Sequence, residues 1–323
     1  MKAVKWIALG LLIALIISGA ALQPVSHRET QYFFDTVITL TVYGRQGKQA
    51  AAAAMERIGE LDRLLSAYRE DSDIGRINRA PHGTPVTVSE ETYRLIARAL
   101  EFSAMTDGLF DVTLKPVSDL WGIGTEHARV PEDAEIADAL LKIGWEAVRL
   151  SENPFTVTLE KEGMALDLGG IAKGYAADEA ARVLREQGAE NACLDLGGNV
   201  VVMGEMPLGL TDSIASRRRS RPFTIGIQEP DAARGVAAEQ FEMDDGCVVT
   251  SGDYERYFEQ DGVRYHHIFD PRTGRPADSG VRSATVIGKD AAAADALSTV
   301  FFILGNDADG KWQDYYDRTV FLQ

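Results

Sequence analysis

The order of strand-like and helix-like stretches constrains this chain most. They come in runs rather than in strict alternation, which favours an α+β fold of antiparallel sheets with packed helices over a doubly wound sheet. "YFFDTVITLTVYG" (Tyr32 to Gly44) sets Ile38, Leu40 and Val42 against Thr39 and Thr41, the two-residue period of a strand with one buried face. Lys48 to Tyr68 then carries Met55, Ile58, Leu61, Leu64 and Leu65 at helical spacing. Ser89, with Glu90 and Glu91 behind it, opens a second helix that runs to about Met105, and a third lies between Pro131 and Gly144. "FTVTLE" and "MALDLG" read as a hairpin pair of strands. The helix from about Ile171 to Gln187 is closed by Gly188, and "NACLDLGGNVVVMG" is a strand with a glycine turn. "FTIGIQEP" and "CVVTSGDYERYF" are two further strands, and "DAAAADALSTVFFILG" is the last helix, stopped by Gly305. Met206 to Pro222, which holds Arg217, Arg218, Arg219 and Arg221, reads as an exposed, solvated basic loop.

The 323 residues suffice for one large domain or two modest ones. The formal charge of −16 is spread along the chain, so a polyanion meets general repulsion and nucleic acid is not an expected partner. A phosphate ligand would need a local remedy: a metal, a helix N-terminus or a positioned lysine. Lys2 and Lys5 precede an uncharged run from Trp6 to Leu22 that ends in small residues, the form of an export signal. We expect residues 1–22 to be a cleaved signal peptide, with an uncleaved membrane anchor as the alternative. No cysteine follows the run, which excludes a lipid anchor through that residue. Cys193 and Cys247 read as buried small residues, the alternative being a disulfide in an oxidising compartment.

Four stretches carry candidate chemistry. In "MALDLGGIAKGYAAD" the carboxylate of Asp167 ends a strand, and Gly169 and Gly170 bare the main chain where a helix N-terminus points back. The carbonyl of Gly170 is a candidate hard-metal ligand. Lys173 sits in the first turn, where the helix dipole disfavours a cation unless an anion lies between them. The plainer alternative is a turn capped by Asp167 with a solvated lysine. Asp295 and Thr299 lie four apart on one face of the last helix, an arrangement able to hold magnesium or else to serve as a cap and a back-bonded hydroxyl. In "RYHHIFDPRTGRP" the Asp-Pro and Thr-Gly steps signal a rigid turn, and His266 and His267 stand at its mouth, one facing inward by alternation. A histidine presented there is a candidate general base. "TDGLFDVTLKPVSDLWGIG" places Phe110, Asp111 and Trp121 either to wrap a planar ring or to pack as aromatic core.

Taken together and in this order, "FDTVITLTVYG", "LLSAYREDSDIGRIN", "TDGLFDVTLKPVSDLWGIG", "DLGGIAKGYAAD", "DLGGNV", "VVTSGDYERYF", "HHIFDPRTG" and "DALSTVFFILG" resemble the FAD:protein FMN transferase, or ApbE, family. The resemblance implies a single catalytic domain over residues 30–323 with an ApbE-like, T-fold-related α+β architecture. It implies an enzyme of the export compartment that binds FAD and Mg²⁺. That enzyme moves FMN to a threonine hydroxyl of a target flavoprotein subunit of a membrane redox complex, releasing AMP. Carried over by position, the metal ligands are the main chain of Gly170 with Asp295 and Thr299. FAD contacts Phe34, Tyr68, Leu109, Phe110, Asp111, Asp167 and Lys173, and His267 is the catalytic histidine. The chain departs from the family pattern at Phe34, where methionine is usual, in lacking a lipobox cysteine, and in ending soon after Asp317, where we expect a final strand to be missing. A magnesium-dependent FAD pyrophosphatase yielding FMN and AMP, and a non-catalytic extracytoplasmic FAD-binding protein, are the competing readings.

Overall fold

The structure is a computed structural model that describes residues 24–323, so the leader read at residues 1–22 lies outside the described residues. A seven-stranded sheet organises it: β1 (Ser26–Phe33), β2 (Thr36–Tyr43), β3 (Ala192–Leu196), β4 (Asn199–Met203), β5 (Gly246–Gly252), β6 (Ser283–Gly288) and β7 (Arg318–Leu322). Its spatial order follows the chain from β1 to β7, and every neighbouring pair is antiparallel. The α+β expectation is met.

Eight helices accompany it among the described residues: α1 (Gly47–Leu65), α2 (Asp73–Arg79), α3 (Glu90–Met105), α4 (Lys115–Trp121), α5 (Asp133–Leu141), α6 (Ala172–Glu186), α7 (Leu210–Ser216) and α8 (Ala291–Leu304). Helices α1, α6 and α8 form a layer against one face of the sheet. Ile38, Leu40 and Val42, the alternating apolar set of β2, are fully buried beneath it. The other face is covered by the hairpin of Phe223–Gln228 with Ala237–Met243, through Phe223, Ile225 and Ile227 on Val202, Val248 and Ile287. Helix α8 is apolar on nearly every side because it lies between this sheet and α6, and Leu297, Val300 and Phe301 are fully buried there.

Several expected ends are where the residue chemistry put them. The Ser89 hydroxyl caps α3 by accepting from the Thr92 N–H at 3.1 Å. Gly188 and Gly305 sit at positive φ just past α6 and α8. Other readings are corrected: the single strands read at Tyr32–Gly44 and at "CVVTSGDYERYF" are each broken by a turn, at Phe34–Asp35 and between Gly252 and Tyr257. "MALDLG" is not a strand paired with "FTVTLE": the side-chain amide of Asn78 takes both the N–H and the carbonyl of Leu166 (2.7 and 2.8 Å), and the Asp167 N–H goes to the Val112 carbonyl. With its polar groups taken, the segment keeps one isolated bridge, Ala165 to Leu114, while Thr156–Leu159 pairs with Val148–Ser151 instead. The basic segment from Met206 to Pro222 contains α7 and a short strand pair at its base, although its four arginines are exposed as expected. Beyond Asp317, where we expected a strand to be missing, Arg318–Leu322 forms the sheet edge as β7. The two cysteines are free: Cys193 lies opposite Val202 and Cys247 opposite Val201, adjacent β4 residues that point to opposite faces of the sheet, so no disulfide joins them.

Candidate active site

The site forms where α6 begins against the middle of α8. Gly174 permits it: a Cβ there would lie 2.1 Å from the Ala291 carbonyl oxygen, so only glycine lets the two helices touch. Asp178, one turn further along α6, accepts from the N–H groups of Ala291 and Ala292 at 3.1 and 3.0 Å, and Asp290 accepts from Ala293 at 3.0 Å. Three donors that the start of α8 leaves without helical partners are thereby satisfied. Burial pushes the Asp178 carboxyl up to about 6, against the pull of the two N–H groups.

This docking delivers Asp295 to the N-terminus of α6. Its carboxylate is 4 % exposed and accepts from the Gly174 N–H at 2.9 Å, while its other oxygen stands 3.5 Å from the Lys173 ammonium. The α6 cap is therefore Asp295, distant in sequence, and not Asp167, whose side chain accepts from the Gly169 N–H at 2.8 Å within its own turn. A buried carboxylate at the positive end of a helix is a favourable pairing and resolves the odd placement of Lys173. The same lysine donates to the Gly169 carbonyl at 3.1 Å.

Thr299 and Gly170 meet in the same corner. The Thr299 hydroxyl lies 3.8 Å, and the Phe110 ring edge 3.0 Å, from where a Gly170 Cβ would stand. Ser251, at the end of β5, reaches the hydroxyls of Ser298 and Thr299 at 2.8 and 3.4 Å. The oxygens gathered here are one carboxylate, several hydroxyls and main-chain carbonyls, and among the described residues no group of three or more His, Cys, Asp or Glu could hold a metal ion. Such a donor set suits a hard cation that keeps waters and takes ligand phosphate oxygens, and does not suit zinc.

His266 and His267 divide as alternation requires. His266 is buried, its Nε2 on the Ala277 carbonyl at 3.0 Å and its ring edge-on to Phe302. His267 is half-buried on the other side, with Nδ1 on the Arg256 carbonyl at 3.2 Å. That acceptor places the ring proton on Nδ1 and leaves the Nε2 lone pair free. Although the residue keeps some surface, its imidazole is pushed down to about 3, by desolvation first, then by the charge of Arg256, with smaller contributions from His266 and Lys173. His267 makes no hydrogen bond to Gly170, Asp295 or Thr299.

The remaining expected contacts differ in exposure and in partners. Tyr68 is 66 % exposed, with the Lys115 ammonium 4.5 Å from its ring centre. Its hydroxyl is raised to about 12, by desolvation and then by the charges of Asp167 and Asp119. Phe34 and Asp35 form the two-residue β1–β2 turn, both at positive φ, with the Phe34 N–H on the Asp62 carboxylate at 2.7 Å. Leu109 is partly buried against the core. The Asp111 carboxylate accepts from both the N–H and the hydroxyl of Thr113 (2.8 and 2.6 Å), so it shapes the turn that carries Phe110. Burial raises its pKa, opposed by those bonds. Trp121 is core: fully buried, it donates to the Gly274 carbonyl at 2.8 Å and braces the Asp-Pro turn. Ser251, Arg256, Gly174 and Asp178 were not singled out from the sequence. The four-residue spacing of Gly174 and Asp178 on an alanine-lined helix was the available signal for the last two.

Comparison with known proteins identifies the family. A FAD:protein FMN transferase of Treponema pallidum is 36 % identical over 296 residues, 89 % of this chain and 81 % of that one. One from Klebsiella pneumoniae is 38 % identical over 268 residues, 83 % of this chain and 79 % of that one. Among solved structures, the ApbE protein of Thermotoga maritima superposes with a TM-score of 0.79 at 36 % identity, covering 90 % of this chain and 91 % of that one. The flavin transferase ApbE of Vibrio cholerae gives 0.74 at 31 % identity over 87 % of each. The ApbE family itself matches across residues 34–320, and this chain belongs to it.

Proposed function

We propose that this chain transfers the FMN half of FAD to a threonine hydroxyl of a target flavoprotein, releasing AMP, on the extracytoplasmic side of the membrane. The observation that carries the reading is Asp295 closing the N-terminus of α6 beside Gly170, Lys173 and Thr299. In a protein of charge −16 this corner joins a helix N-terminus and a lysine to oxygens suited to a hard cation, as an anionic diphosphate requires. Gly170, Asp295 and Thr299 would hold Mg²⁺, which when bound supplies neutralisation of the diphosphate oxygens.

The acceptor oxygen forms a bond to the FMN phosphorus, the bond from that phosphorus to the bridging oxygen breaks, and AMP departs with the electron pair. The hydroxyl proton goes to Nε2 of His267. Free of ligand, that imidazole is held low and is a weak base. A bound diphosphate offsets the charges of Arg256 and Lys173 and lifts it toward a useful range. Lys173 meets the phosphates, while Phe110, Tyr68 and Phe34 offer aromatic surface to the rings.

The test is incubation of the protein with FAD, Mg²⁺ and a candidate acceptor flavoprotein, followed by denaturing electrophoresis. Flavin fluorescence retained on the acceptor, with one AMP released per flavin, supports transfer. Free FMN with AMP and no labelled acceptor identifies a pyrophosphatase, and neither product identifies a carrier.

A further inference from the structure

The segment from Met206 to Pro222 has no part in the chemistry above, and its character differs from the rest of the molecule. It holds four arginines against one acid, Asp212, in a chain of charge −16. Arg217, Arg218, Arg219 and Arg221 are exposed and enter no ion pair among the described residues. Beside them α7 presents Ile214 at 70 % and Leu210 at 44 % exposure, apolar side chains turned to water next to a cationic cluster.

The position of the segment is as informative as its composition. Its base is pinned by the pairing of Met206 with Arg221 and Pro207 with Ser220, and by the Glu205 N–H on the Asn191 side chain at 2.9 Å. The Asn191 carbonyl accepts from Tyr43, Tyr43 pairs with Ser26, and the Gly44 N–H donates to the Val25 carbonyl at 2.8 Å. The first described residues therefore emerge at this same end of the sheet, with Val25 61 % exposed, directly after the uncharged run from Trp6 to Leu22. Helix α6 starts at the reactive corner and ends near here, and its 15 residues span about 22 Å, so the corner lies at the far end of that helix.

We propose that the Met206–Pro222 segment is a membrane-docking surface for anionic phospholipid, with the arginines on the headgroups and Leu210 and Ile214 in the interfacial layer. Clustered arginine is attracted to a negative lipid surface, and flanking apolar side chains turn that attraction into insertion. Charge complementarity, and the uncharged sequence that precedes the first described residues at this end, both select a bilayer as the occupant. Docked this way, the protein holds its reactive corner away from the lipid and open to an acceptor. This goes beyond the transfer reaction and does not depend on it.

The test is hydrogen exchange on the full chain reconstituted in phosphatidylcholine vesicles, with and without about a third phosphatidylglycerol. Amide exchange in residues 206–222 is expected to slow roughly tenfold or more on the anionic vesicles only, and to recover at about 1 M salt, where screening is strong. A variant combining Arg217→Glu, Arg218→Glu and Arg219→Glu is expected to lose that protection while its melting temperature is unchanged. Ile214→Ser, which keeps every charge, should lose part of it. Equal exchange on both kinds of vesicle, or protection of this segment by an acceptor flavoprotein but not by lipid, overturns the proposal.

Discussion

Replacing Gly174 with alanine adds one methyl group, and the structure fixes where it goes. The new Cβ would stand 2.1 Å from the Ala291 carbonyl oxygen, 2.6 Å from its carbon and 2.8 Å from the Ala292 Cα, all main chain. No rotamer relieves such a contact, so α6 must move from α8 by roughly 1 Å. Overpacking costs about 1–3 kcal/mol. The hydrogen bond from Gly174 to the Asp295 carboxylate, 2.9 Å long, is stretched or lost, removing about 1.5–3 kcal/mol more. Alanine returns about 1 kcal/mol through helix propensity. The net expectation is about 1.5–5 kcal/mol of destabilisation by urea denaturation. A larger effect is expected on function, because a displacement of about 1 Å in a positioned group can cost roughly a hundredfold in rate. FMN transfer and Mg²⁺ affinity are therefore expected to fall together in the fraction that remains folded. Wild-type stability and an unchanged Mg²⁺ half-saturation would refute the claim that glycine is required for this helix contact.

Other expectations follow from the same geometry. His267→Ala should retain FAD binding and lose transfer by roughly 10²–10⁴; transfer at the wild-type rate would remove the histidine from the base role. Because the imidazole is pushed down to about 3 in the folded protein, the unfolded chain binds its proton first as pH falls. His267 thus lowers stability progressively from about pH 6.5 toward pH 3, and His267→Ala should flatten that part of a stability profile. An NMR titration should show the imidazole pKa rising when FAD binds, and a value unmoved by FAD would contradict its proximity to the diphosphate. Asp178→Ala should cost about 1–2 kcal/mol by freeing the Ala291 and Ala292 N–H groups, measured by thermal or urea unfolding.

What the sequence made legible was the set of features decided locally. Ser89, Gly188 and Gly305 announce helix ends because capping depends on a few neighbouring residues. Ile38, Leu40 and Val42 announce a buried face because a strand alternates. Gly170 and the four-residue spacing of Asp295 and Thr299 each announced a candidate cation ligand beside a plainer alternative, and only their grouping came through resemblance. Contacts between distant segments were hidden. Nothing near Leu166 says that Asn78 will occupy its backbone, and without that the segment looks like a strand. Asp178 looks like a solvent-facing helix carboxylate until α8 is docked on it, and Asp295 becomes the α6 cap only through the same docking. Strand β1 is an edge strand with a largely exposed, charged sequence, so its alternation is weak, and the turn that ends it at Phe34 falls inside what reads as one continuous strand.

The most direct measurement is a calorimetric Mg²⁺ titration of the FAD-bound protein, wild type against Asp295→Ala, with folding of both verified by circular dichroism. Saturable binding to the wild type and none to a folded Asp295→Ala is expected if the α6–α8 corner holds the cation beside the diphosphate. Equal binding by the two proteins would contradict it.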